Sequence, residues 1–244
     1  MSSSTVTTPE IMIGAIARML VGLRHVAVGA SSPVPGAAAL LARSLSGGRM
    51  RVSLLGSEAH NPFTDGGKEL FDCAAQGRID AFFLSGGQID GAGNINLVGL
   101  GDYKQPRLRF PGSFGSAYLY HLIPRVILFR EEHSPRTLVP RVDFVSAAGL
   151  SPEGEYRPGG PHALVTGLCV FAFDKAARGF RLVSAHPGIS AADVRAATGF
   201  EYEAPGEVPV TPAPSAHMLA LLRTQVAGEV AETYPGFAKA QWGV

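Results

Sequence analysis

The sequence predicts an α/β fold, an open and mostly parallel sheet with helices on both faces and an antiparallel extension. Three observations predict it. Short apolar runs alternate with helix-period segments through the first half of the chain. Those runs are apolar at consecutive positions, as strands covered on both faces are. In the second half, two apolar runs are joined by Asp174-Lys175-Ala176-Ala177-Arg178-Gly179, which fits a hairpin added to the sheet.

Taken in order, Thr7-Thr8-Pro9-Glu10 starts a first helix with Thr as N-cap and Pro in the first turn, and Ile11, Met12, Ala15, Ile16, Met19 and Leu20 follow at helical spacing. Residues 25–29 form a short buried strand, Pro33-Val34-Pro35-Gly36 a stiff turn, and residues 37–46 a helix closed by Gly47-Gly48. The pattern repeats with a strand at 51–55, a helix at 68–76 that buries Leu70, Phe71, Ala74 and Ala75 and stops at Gly77, and a strand at 79–84. This spacing implies right-handed βαβ units. Further strands are expected at 125–130, 142–145, 163–173 and 180–183, and helices at 191–197 and 216–226. Residues 204–215 carry four prolines and are expected to run extended over the surface before the C-terminal helix. No repeat period and no linker divide the chain, so residues 1–244 read as one domain.

Composition narrows the class. The chain of 244 residues is 46% hydrophobic and 17% charged, with 30 Gly and 18 Pro, and its mean hydropathy is +0.16. That excludes a disordered chain, which needs low hydrophobicity and high net charge. A net charge of +1, without charge blocks, leaves no electrostatic footprint for nucleic acid. Long uncharged stretches such as 26–42 and 110–124 are broken by Pro and Gly and fall short of a bilayer span, and no basic region precedes the first apolar run, so neither a membrane nor a secretory signal is expected. Cys73 and Cys169 are far apart and belong to no CxxC pair, which fits a reducing cytoplasm and two thiols in the core.

In open parallel sheets, ligands bind beyond the carboxyl ends of the strands. The loops at 29–33, 56–61 and 85–90 therefore matter most. None carries a dinucleotide fingerprint, a phosphate-binding P-loop or a nucleophile elbow, and the seven His lack metal-ligand spacing, so no metal is expected. The run Ser85-Gly86-Gly87-Gln88-Ile89-Asp90-Gly91-Ala92-Gly93-Asn94-Ile95-Asn96 is different. Its glycines let backbone N–H groups approach a ligand or a developing oxyanion, or else they simply build tight turns.

An ordered series of motifs is more specific than any one of them. Val28-Gly29 is followed by Pro33 and Gly36-Ala37; Gly77-Arg78-Ile79-Asp80 feeds Gly86-Gly87-Gln88-Ile89-Asp90; then come Gly93-Asn94-Ile95-Asn96, Gly101-Asp102-Tyr103, Gly112-Ser113-Phe114-Gly115, His133 with Arg136, Val142-Asp143-Phe144, and His186-Pro187-Gly188 ahead of Thr198-Gly199-Phe200. In these the chain resembles the β subunits of the class I CoA-transferase superfamily, in particular the glutaconate branch. The resemblance implies a CoA-transferase β-subunit (NagB-like) fold and an α-type partner subunit in an αβ or α2β2 assembly. It also implies coenzyme A as part of the substrate thioester, with no permanently bound cofactor.

Active transferases of this family carry a nucleophilic glutamate just past the second strand. Here that strand ends Ser53-Leu54-Leu55-Gly56-Ser57-Glu58-Ala59-His60, which puts Leu55 at the glutamate's place. Either Glu58 serves from a re-registered loop or the covalent step is absent. A β subunit of this branch without its glutamate is similar to those of the bacterial cholesterol ring-cleaving CoA hydrolases. That resemblance implies hydrolytic carbon-carbon cleavage of a cyclohexenone carboxyl-CoA, with an essential glutamate on the α subunit. The alternatives are a glutaconate- or 3-oxoacid-type transferase using Glu58, and a non-catalytic subunit that shapes the α-subunit site. Candidate catalytic residues are Glu58, His60 and Asn61. Gly86, Gly87, Gln88, Asn94, Gly112, Ser113 and Gly115 are candidates for thioester or oxyanion binding. For each the plainer reading is structural: a solvated carboxylate, a loop-capping side chain or a close backbone contact.

Overall fold

The first helix, α1 (Thr8–Met19), begins where its cap chemistry puts it. The Thr7 hydroxyl accepts from the Glu10 N–H and the Glu10 carboxylate accepts from the Thr7 N–H, the reciprocal capping box. The computed structural model describes residues 5–244. After α1 come β1 (His25–Val28), α2 (Pro33–Leu45), β2 (Arg51–Leu54), α3 (Gly66–Ala75) and β3 (Ala81–Leu84). Pro33-Val34-Pro35-Gly36 is thus the first turn of α2 and not a separate turn. Pro33 stands at a position where a missing N–H is harmless, and Gly36 N donates to Ser32 O at 2.9 Å.

The chain then builds two small antiparallel ribbons, β4 (Gln88–Ile89) with β5 (Ile95–Asn96) and β6 (Gly99–Leu100) with β7 (Leu108–Arg109). It continues through α4 (Ser116–Leu122), β8 (Arg125–Arg130), β9 (Pro161–Thr166), β10 (Cys169–Asp174), β11 (Gly179–Ala185), α5 (Ala191–Ala197) and α6 (Ala216–Leu221). A π-helical turn, Leu222–Val226, leads into α7 (Ala227–Thr233) and then α8 (Pro235–Trp242). Residues 163–173, expected as one strand, are two. The Thr166 hydroxyl accepts from the N–H groups of Leu168 and Cys169, both at 3.2 Å, and closes a tight turn between them. Residues 142–145 form no strand. Val142 N and Asp143 N donate to the side chains of Asp90 and Gln88, at 3.4 and 2.9 Å, instead of to a neighbouring ladder.

The main sheet has the order β11-β10-β9-β8-β3-β1-β2. Pairings from β2 through β9 are parallel, and those of β9 with β10 and β10 with β11 are antiparallel. Alternation along each strand divides the core into two faces. Val26, Val28, Phe83 and Ile127 pack with α1, α2 and the C-terminal helices. Ala27, Phe82, Leu84, Val126 and Leu128 pack on the other face with Leu70 of α3, Leu119 and Tyr120 of α4, and Val194 of α5. Fully burying a side chain of this size contributes about 1.5–3 kcal/mol. Cys169 is buried and Cys73 half-buried, and both are free thiols. Among the described residues no helix is long and apolar enough to cross a membrane.

Candidate functional site

Chain order reverses between β1 and β3: β2 lies on one side of β1, and β3 and β8 lie on the other. A cavity of about 580 Å³ opens beyond the carboxyl ends of these strands, the place where open α/β sheets bind ligands. Leu55, the first residue after β2, lines it together with Phe71, Phe82, Phe83, Leu97 and Phe129. The polar side chains around it are hydroxyls, those of Ser31, Ser32, Ser85, Ser113 and Ser116. Among the described residues, no Asp, Glu, His, Lys, Arg or Cys lines this cavity.

Backbone strain gathers at its rim. Among the described residues, three that are not glycine have positive φ, and two of them, Ser31 at 55° and Phe114 at 41°, line the cavity. Such conformations cost on the order of 1–3 kcal/mol and cluster at functional sites. The Phe114 side chain is 87% exposed, with its ring 5.5 Å from that of Phe71. A Cβ at Gly115 would stand 2.1 Å from the Phe71 ring, so a side chain there would require that ring to move.

A second hollow of about 400 Å³ adjoins the first and shares Ser85, Leu97 and Pro111 with it. Its charged residues are Arg130, Glu132 and Arg136. The Glu132 carboxylate accepts from Ser134 Oγ and Arg136 Nη2, both at 2.8 Å, and from Arg130 Nη2 at 3.3 Å. Those bonds, led by the one from Ser134, hold it below the usual glutamate range. A larger hollow of about 770 Å³ lies around the β10–β11 hairpin and Phe200. Because β10 runs antiparallel to β9, that hairpin sits at the amino edge of the parallel strands, away from the switch point.

The residues singled out from sequence fall into three groups. Gly112, Ser113 and Gly115 line the switch-point cavity, and Gly86 and Gly87 line the adjoining hollow. Gln88 and Asn94 hold the glycine-rich ribbon. Gln88 accepts from Asn96 Nδ2 at 2.7 Å and donates to Asp143 at 3.2 Å, while Asn94 donates to Asp90 at 3.1 Å and accepts from Gly149 N at 3.1 Å. Glu58, His60 and Asn61 lie outside both hollows. Glu58 is exposed, and its backbone N–H donates to Glu232 of α7. His60 Nε2 pairs with Glu229 of α7 at 3.0 Å, and Asn61 accepts from Phe63 N at 3.3 Å in a loop-capping turn.

Sequence reasoning missed Ser116 and Arg130. Arg130 ends β8, the fourth parallel strand, so the carboxyl-end rule applies to it as much as to the first three. Ser116 opens a helix too short to show a period. Among the described residues, no group of three or more His, Cys, Asp and Glu is placed to hold a metal ion.

Comparison with known proteins agrees with this arrangement. Over 153 residues, 60% of this chain, it is 34% identical to a 3-oxoadipate CoA-transferase polypeptide of Pseudomonas knackmussii, of which 58% is covered. It is 32% identical to the cholesterol ring-cleaving hydrolase IpdB subunit of Rhodococcus jostii, with 64% of this chain and 62% of that protein covered. The chain thus spans about six tenths of the length of these curated relatives. Among solved structures, the decarboxylase AibA/AibB is similar at a TM-score of 0.76 and 28% identity, covering 98% of this chain and 100% of the other. IpdAB of Rhodococcus jostii is similar at 0.76 and 27%, covering 91% and 94%. Glutaconate coenzyme A-transferase from Acidaminococcus fermentans shares the fold at 0.80 and 23% identity, covering 98% and 97%. The model of the coenzyme A transferase family matches residues 3–197, most of the chain, and the chain is a member of that family.

Proposed function

We propose that this chain is the β-type subunit of a heteromeric acyl-CoA hydrolase that opens the last steroid ring of a cyclohexenone carboxyl-CoA by hydrolytic carbon-carbon cleavage. One observation carries the reading: among the described residues no ionisable side chain lines the cavity at the switch point, and Leu55, which the resemblance puts at the place of the transferase glutamate, is part of its apolar wall. The likeness to the IpdB subunit and to IpdAB supports the same substrate class.

The chemistry divides between two chains. A base is needed to activate water, and the cavity offers none, so a partner α-type subunit supplies it. Water oxygen adds to the ring carbonyl carbon, the adjacent carbon-carbon bond breaks, and its electron pair leaves as an enolate that takes up the proton. This chain's share is the apolar floor and the hydroxyl and backbone donors that face developing negative oxygen. An apolar position 55 also leaves no carboxylate there to form an acyl-glutamyl anhydride and then a glutamyl-CoA thioester.

A second reading, decarboxylation of a carboxyacyl-CoA, has the full-length likeness to AibA/AibB in its favour. It too passes through an enolate and needs no nucleophile on this chain. The test is co-expression with the neighbouring α-type chain and incubation of the complex with three substrates. Consumption of cyclohexenone carboxyl-CoA to a ring-opened thioester is expected. Carbon dioxide release from a carboxyacyl-CoA would select the second reading, and CoA exchange between a donor thioester and 3-oxoadipate would overturn both.

A further inference from the structure

We propose that the Arg130 end of the bifurcated cleft binds an oxyanion carried by the thioester substrate, which makes Arg130 a specificity-determining residue. The inference rests on the cleft being the thioester site proposed above. A guanidinium presents five N–H donors in a fixed fork. Arg130 uses Nη1 on the carbonyl of Gly86 at 3.1 Å and Nη2 on Glu132 at 3.3 Å. Its Nε is buried and has no acceptor. Buried donors in native proteins are nearly always paired, so a guanidinium that lines the hollow, is 31% exposed and has one donor unpaired retains capacity for an acceptor.

The neighbouring charges agree. Arg130, Arg136 and Glu132 are the ionised groups on this hollow, and Glu132 is already engaged by both arginines and Ser134. One positive charge is left over, at the polar end of a cleft whose other half is apolar and free of charge. The Gly86 carbonyl holds the guanidinium in place, and planar forks of this kind favour carboxylate or phosphate. The oxyanion is therefore a carboxylate at the far end of the acyl group or a phosphate of the CoA moiety.

Binding to the complex of this chain with its partner subunit separates the two, with adipyl-CoA, its monomethyl ester and adipyl-pantetheine as probes. The expected result is that the native complex prefers adipyl-CoA to the ester by about tenfold or more. Arg130→Gln erases that preference, and Arg130→Lys keeps part of it. A purely structural role would not distinguish acid from ester. If Arg130→Gln instead weakens acid and ester alike but leaves adipyl-pantetheine unchanged, the oxyanion is a CoA phosphate. If Arg130→Gln binds all three probes as the native complex does, or weakens all three equally, the inference is overturned. Ring opening, followed in the same preparations, reports on the proposed reaction independently of these affinities.

Discussion

Glu58→Gln separates the hydrolytic reading from a covalent transferase on this chain. The Glu58 side chain is exposed and lies outside the switch-point cavity. The loop is tied to α7 through the Glu58 backbone N–H, which the substitution leaves in place. An isosteric surface change of this kind shifts stability by no more than about 0.5 kcal/mol. For a chain of this length that is roughly 1–2 °C in Tm. Turnover of cyclohexenone carboxyl-CoA by the complex is expected to stay within about twofold, or about 0.4 kcal/mol of barrier. Loss of a nucleophile would cost on the order of a thousandfold or more, above about 4 kcal/mol. Steady-state kcat/KM, a thermal melt and hydroxylamine trapping of acyl-CoA-treated complex read all three quantities. A thousandfold loss with unchanged Tm, or a hydroxamate mapped to Glu58, would refute the reasoning.

Two further outcomes test the scaffold. Tyr120→Phe removes the buried bond from the Tyr120 hydroxyl to the Gly93 carbonyl at 2.8 Å and leaves that carbonyl short of a donor; destabilisation of about 1–2 kcal/mol, roughly 2–8 °C in Tm, is expected in a thermal melt. His133 gives a pH dependence. Burial, with His186 nearby, pushes its imidazole down to about 4, whereas the unfolded chain titrates near 6.5. Between these values the unfolded chain binds more protons, so stability is full above about pH 6.5 and falls as pH drops toward 4, by at most roughly 3 kcal/mol from this group. Melts from pH 7 to 4 should show a flatter slope for His133→Gln than for the native chain, and an identical slope would count against a neutral buried His133.

The parallel core was legible because β1, β2 and β3 are short apolar runs bounded by glycines, and the β10–β11 hairpin because a polar stretch interrupts two aromatic-rich strands. What escaped reading depends on distant partners. Pro33-Val34-Pro35-Gly36 has turn composition, yet it forms the first turn of α2, and there Gly36 also leaves room for the distant Tyr234 ring, which a Cβ would meet at 3.0 Å. Residues 142–145 have strand composition, but their partners are the Asp90 and Gln88 side chains. The C-terminal helix was expected to end at 226, but a π-helical turn carries it on into α7. The switch-point cavity lies where the carboxyl-end rule and the glycine-rich loops point. Leu55 lines the cavity while the Glu58 backbone, three residues on, meets α7. A local turn, with Ser57 N donating to Leu54 O and His60 N to Ser57 Oγ, shapes this loop together with contacts from residues 229–232, and those distant contacts were not legible in the sequence.

Turnover of cyclohexenone carboxyl-CoA by the complex in heavy-oxygen water, with a free carboxylic acid present, tests the hydrolytic route most directly. One heavy oxygen in the newly formed carboxylate, with CoA retained on the ring-opened product and none on the added acid, is the predicted result. CoA recovered on the added acid, with no ring-opened product, would contradict it.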